Sequence, residues 1–207
     1  IYTPLYTLSL HDALPIYIDS PMAIEATRIY RRHLELFDED FQALQRERPI
    51  EADLTTVRPT PTADESRQLN DCAGPCLILA GSGMCTAGRI LHHLKQNLWR
   101  DGTVVFIVGF QPEGSLGRQL VDGATSVSIF GEKVAVRARI HTLGGFSAHA
   151  GQRELLEWLS PLAPSRPRVI LTHGEPKRRD ALAEQIRERF GLDSSRPMMG
   201  EVLTLRP

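Results

Sequence analysis

Gly81-Ser82-Gly83-Met84-Cys85-Thr86-Ala87-Gly88-Arg89 follows a short apolar run and leads into a helical pattern. Between a strand and a helix, free backbone N–H groups and the helix dipole suit a phosphate or another anion. The segment departs from two nucleotide-binding patterns. A dinucleotide fingerprint wants glycine where Thr86 stands, and a Walker A loop wants Lys then Ser or Thr where Arg89 and Ile90 stand. Without that hydroxyl nothing would hold magnesium, which disfavours an ATP or NAD site. Two readings stay open on equal terms: anion binding at a helix start, or a tight strand-to-helix turn.

Two histidines stand in suggestive places. Gly145-Phe146-Ser147-Ala148-His149 approximates the serine-hydrolase elbow but ends in His149 where that turn needs glycine. No strongly apolar strand precedes it to carry a nucleophile. His149 still lies after paired glycines and ahead of a helical pattern, a placement suited to contacting a phosphate. His173 follows Val169-Ile170-Leu171, which puts it at the carboxyl end of a strand, where sites of α/β sheets gather. One histidine cannot make a zinc site, which needs at least three protein ligands. There is no His-x-His-x-Asp-His run, Cys72 and Cys76 lack a second ligand pair, and His92 and His93 fall on different faces of a helix. No self-sufficient metal site is legible.

The composition narrows the classes. A chain of 207 residues with 42% hydrophobic residues can build a real core and is not disordered. Lys and Arg total 24 against 25 Asp and Glu, so no global positive field attracts nucleic acid and any such binding must come from a local groove. Of the basic residues 21 are Arg; those at 31, 32, 178 and 179 have acidic neighbours, as solvated helix faces do. Three cysteines argue for a reducing, cytoplasmic setting over a secreted disulfide scaffold. No apolar run is long enough to span a bilayer.

The elements that must position these residues can be read from Tyr17 onward. Residues 1–16 have no clear helical face and look like a non-native leader whose removal should leave stability unchanged. Tyr17-Ile18-Asp19 ends a strand, and Ser20-Pro21 cap a helix reaching Arg32. Residues 38–70 read as a short helix followed by loops. Cys76 to Ala80 is expected to be a strand covered on both faces. A helix through Ile90, Leu91, Leu94 and Leu98, then a strand over 103–108, completes a βαβ unit with a parallel sheet. Further strands are expected over 126–130 and 134–140 around a Gly131-Glu132 turn, then over 168–172 and 202–205. Helices are expected near 152–159 and from Pro176 to Phe190. The class is α/β.

IDSPMA (Ile18 to Ala23), AGSGMCTAGRILHHL (Ala80 to Leu94), HTLGGFSAHAGQ (His141 to Gln152) and LTHGEP (Leu171 to Pro176) together resemble the β-CASP branch of the metallo-β-lactamase fold. That group holds RNA-processing nucleases, and the resemblance covers nearly everything from Tyr17. It implies a β-CASP domain over 17–122, with a parallel sheet flanked by helices. From 123 to 207 it implies the C-terminal portion of a metallo-β-lactamase αββα domain. It further implies a zinc-dependent ribonuclease with two zinc ions, most of whose ligands lie upstream of the residues present, so this chain alone would be inactive. By the same resemblance His173 is a zinc ligand, and His149 is a hydrogen-bond donor or general acid at the scissile phosphate. Ser82, Gly83 and Ser147 would face the cleft that grips RNA. RNA is the expected partner, a membrane is not, and a homodimer is common in the family. The alternative is a non-catalytic RNA-binding or assembly subunit of the same fold.

Overall fold

A computed structural model describes residues 14–47, 49, 55–72, 74–146 and 149–204. They form a mixed α/β structure with parallel strands, in two compact units that part between Gly144 and Gly145. No helix among the described residues is long and apolar enough to cross a membrane.

The first unit opens on β1 (Ile16–Ile18), the central strand of a parallel sheet in the order β2-β1-β3. Most of the leader lies outside the described residues. Ile16, counted with it above, is nevertheless the first residue of β1 and pairs with Val57 on one side and Leu77 on the other. The Pro15 carbonyl accepts from Leu77 N at 3.0 Å, so removal through residue 16 would cut into the sheet. Ser20 then caps α1 (Pro21–Arg32), its hydroxyl accepting from Ala23 N while Pro21 takes the first helical position. That is where a missing N–H costs nothing.

After α2 (Glu39–Glu47) comes β2 (Val57–Pro59), a strand in a segment expected to be loop. It escapes notice because it is three residues long and ends in Pro59, which only an edge strand tolerates. α3 (Ala63–Gln68) starts from a capping box formed by Thr62 and Glu65. β3 (Leu77–Leu79) pairs parallel to β1 but is not covered on both faces: Leu77 and Leu79 are exposed, because β3 is an edge strand.

α4 (Arg89–Asn97) and β4 (Val104–Ile107) follow as expected, yet β4 does not join β3. It pairs parallel with β7 (Arg139–Thr142), so the βαβ unit is divided between two sheets. After α5 (Leu116–Val121), β5 (Ser126–Ile129) and β6 (Glu132–Ala135) form a hairpin. Its turn is Phe130-Gly131, with φ of 53° and 79°, and Glu132 opens β6 opposite Ile129. Positive φ at both central residues matches the twist of the flanking strands. The expected strand over 134–140 is broken, since 136–138 separate β6 from β7. Leu94, Leu98, Ile107, Leu120, Val127, Ile129 and Val134 form the core of this unit.

The second unit holds α6 (Gln152–Leu159), β8 (Val169–Ile170), α7 (Pro176–Phe190) and β9 (Ser194–Ser195), with β8 and β9 parallel. Leu156, Leu159, Ile186 and Leu192 make its core. α7 ends where Gly191 turns left-handed, its N–H donating to Arg187 O at 2.9 Å. The expected closing strand is absent at 202–204, and Leu205 lies outside the described residues.

Candidate functional site

The carboxyl end of β1 carries Asp19, which is fully buried. Its two oxygens accept four hydrogen bonds. Oδ1 takes them from Thr60 Oγ1 at 2.7 Å and Arg89 Nη1 at 2.6 Å, and Oδ2 from Ser66 Oγ at 2.6 Å and His93 Nε2 at 2.6 Å. Burial by itself raises the Asp19 carboxyl, but the bonds from Ser66, His93, Thr60 and Arg89 outweigh it and hold the group below its ordinary 3.8. Arg89 Nη1 also donates to Thr60 O at 2.5 Å, and Nη2 to Pro61 O at 2.8 Å. One carboxylate thus joins the ends of β1 and β2 to α3 and α4. Arg89 and His93 share a face of α4 because they are four residues apart. His93 is buried and its Nδ1 has no partner, whereas His92 is exposed against the Phe130 ring. Asp19, Thr60 and Ser66 were not singled out from the sequence: Asp19 lies 41 and 47 residues from the other two, and only the fold brings it to them.

The cluster anchors the start of α4, directly after the loop that carries Ser82 and Gly83. Here Ser82 Oγ accepts from Thr86 N at 3.1 Å and Ala87 N at 3.2 Å, so two loop N–H groups are committed within the loop itself. Ser82 N donates to Ala87 O, and Cys85 N to Ser82 O. Gly83 is exposed, and its carbonyl accepts from Gln111 Nε2 at 2.8 Å. Gln111 is itself buried against Gly117, where an added Cβ would lie 1.7 Å from Gln111 Oε1.

Gly88 closes the loop. Its φ is +80°, and a Cβ there would lie 2.6 Å from the Gly81 backbone oxygen, which cannot swing away as a side chain would. Gly88→Ala is therefore expected to cost about 1–3 kcal/mol from the backbone strain, plus whatever loop shift relieves the clash. Urea unfolding measures this; an unchanged midpoint would mean the loop gives way freely.

The two candidate histidines lie in the second unit, and Ser82 with Gly83 in the first. His149 is exposed, two residues before Gly151, which caps α6. Ser147 lies outside the described residues. His173 is exposed just after β8, with a left-handed φ of 58°, ahead of the first turn of α7. Non-glycine residues take that conformation seldom, histidine more readily than most, and such positions gather at functional sites. As a donor set for zinc the described residues fall short. Among them no three His, Cys, Asp or Glu side chains come together as a metal-binding group. His173 offers one nitrogen, which does not by itself fit a zinc centre.

The parallel sheet, its helices and these motifs define a β-CASP chain: the Beta-Casp domain matches residues 5–120, and the protein belongs to that family. Residues 133–197 match the Zn-dependent metallo-hydrolase RNA specificity domain. Among known proteins, ribonuclease TTHA0252 of Thermus thermophilus is 44% identical over 204 residues, covering 95% of this chain and 46% of that protein. Transcription termination factor FttA of Pyrococcus abyssi is 31% identical over 198 residues, 93% of this chain and 30% of that protein. The chain spans less than half the length of these relatives.

Proposed function

We propose that the protein is a zinc-dependent ribonuclease that hydrolyses phosphodiester bonds in RNA processing or decay in the cytoplasm. Residues 17–122 are its β-CASP domain, and 123–207 are the closing portion of a metallo-β-lactamase domain. The observation that carries this reading is the 44% identity to a ribonuclease across 95% of the chain. The RNA specificity domain over 133–197 supports RNA as the substrate.

In this reading His149 is a hydrogen-bond donor or the general acid at the scissile phosphate. As the acid it would give a proton to the oxygen that leaves phosphorus while water adds. Ser82, Gly83 and Ser147 contact the RNA backbone through neutral hydroxyl and backbone groups, which orient a phosphate without adding charge. His173 supplies one nitrogen ligand. Among the described residues no second and third ligand join it, and in this reading the 207-residue chain alone neither retains zinc nor cleaves RNA.

Zinc titration combined with a labelled-RNA cleavage assay tests this. Substoichiometric zinc and no metal-dependent cleavage are expected of the chain alone, and cleavage is expected once a complete metallo-β-lactamase portion is joined to it. Stoichiometric zinc with cleavage by the 207 residues would overturn the ligand assignment. RNA binding without cleavage by the completed protein would favour a non-catalytic subunit, a reading that similarity to a transcription termination factor keeps in view. Light scattering on the same samples reads the expected homodimer.

A further inference from the structure

Gln111 lies between β4 and α5 and is 6% exposed. Its side-chain amide gives both hydrogens to backbone carbonyls: Nε2 donates to Gly83 O at 2.8 Å and to Gly109 O at 3.1 Å. The amide's own oxygen is buried with no partner among the described residues. A buried acceptor left unpaired costs stability, so stability alone is a poor account of this side chain. α5 is shaped to receive it. A Cβ at Gly117 would overlap the amide, and Gly117 N donates to Met84 O at 3.4 Å. The loops that follow β3 and β4 are thereby tied together.

What Gln111 holds is the middle of a turn. Cys85 N donates to Ser82 O at 3.0 Å, which makes Ser82 to Cys85 a β-turn with the Gly83–Met84 amide at its centre. That central amide takes no part in the turn's own hydrogen bond, so its facing is set from outside. A trans amide carries its C=O and N–H on opposite sides. With Gly83 O drawn inward to a buried side chain, Met84 N–H is turned outward, and both residues are exposed. Among the described residues Met84 N–H donates to no acceptor, whereas Thr86 N–H and Ala87 N–H are taken by Ser82 Oγ.

We infer that Gln111 is a positioning residue for RNA: by fixing Gly83 O it aims Met84 N–H at a non-bridging oxygen of the RNA backbone. The inference rests on the ribonuclease reading, which sets this loop against RNA, and it adds a donor and the side chain that orients it. Gln111 itself touches no RNA. The donor is neutral, so the contact fixes where the strand runs and adds nothing to the salt dependence of binding.

The test is amide NMR of the isotope-labelled full chain titrated with a short single-stranded RNA, with affinity taken from the same titration. In wild type the Met84 amide proton is expected to move downfield and saturate. Gln111→Met keeps the length of the side chain without its donors. It is expected to bind about tenfold more weakly, the scale of one hydrogen bond to a charged group, and to leave the Met84 amide unshifted. A methylphosphonate in place of the contacted phosphate should weaken wild type by a similar factor and Gln111→Met by little more. A general loss of structure does not produce that non-additivity. Gly117→Ala should give the same result by displacing the amide with Gln111 intact, and melting curves check that both variants fold. RNA binding by wild type that leaves the Met84 amide unmoved would overturn the inference whether or not the variants fold. So would wild-type affinity in a folded Gln111→Met. Either result leaves the ribonuclease reading standing, whereas no RNA binding by wild type would remove the contact made by this loop and the inference with it.

Discussion

Replacing Asp19 with alanine is expected to destabilise the protein by about 3–5 kcal/mol, the range for removing one partner of a buried ion pair. For a chain of this size that lowers the melting temperature by roughly 10 °C. The size of the effect comes from what is left behind. Arg89, only 19% exposed at its side chain, would lose its carboxylate, while Thr60, Ser66 and His93 would each lose an acceptor. Asparagine is no substitute, because its amide turns two hydrogens toward groups that are themselves donors. Asp101→Ala, at an exposed turn, serves as the control. Equal losses at the two positions would mean that the four bonds to Asp19 contribute nothing beyond an ordinary surface residue.

Acid should show the same hub from the other side. The folded-state pKa of Asp19 lies below 3.8, its ordinary unfolded value. Its contribution is therefore complete above that value and is lost as pH falls through the lower, folded-state pKa. Below pH 3.8 wild type should lose stability through a component that Asp19→Asn lacks. Parallel pH-dependent unfolding curves for the two proteins would contradict the assignment.

What could be read from the chain alone divides along physical lines. Local signals were legible: Ser20-Pro21 start α1, Pro176 and Gly191 bound α7, and Ile90, Leu91 and Leu94 give α4 its buried stripe. Strand pairing was not. β2 is three residues long and ends in proline, so nothing local marks it, yet it holds one edge of the sheet around β1. Likewise, adjacency in sequence suggested β3 beside β4, whereas register places β4 beside β7. The motifs around Asp19 and Arg89 were visible as strings, but their meeting depends on contacts separated by 41 to 74 residues. Sequence pattern carries periodicity and caps, and long-range hydrogen bonding has no periodicity to detect.

If the proposed ribonuclease reading holds, then in a protein given a complete metallo-β-lactamase portion His149→Ala is expected to lower RNA cleavage by about 10²–10⁴-fold, the range for losing a general acid. His149 is exposed and lies outside the core of its unit, formed by Leu156, Leu159, Ile186 and Leu192, so its removal should leave folding intact. Zinc content should also stay unchanged. His149→Gln separates the two roles open to this residue. Glutamine keeps an N–H that can bind a phosphate oxygen but has no proton to give, so recovery of most of the rate would assign His149 to orientation, and little recovery to proton transfer. His173→Ala should differ in kind, lowering zinc occupancy and cleavage together, as the ligand role proposed for it requires. Substitutions that leave both rate and zinc content untouched would remove these histidines from the reaction and return the protein to the class of RNA-binding subunits.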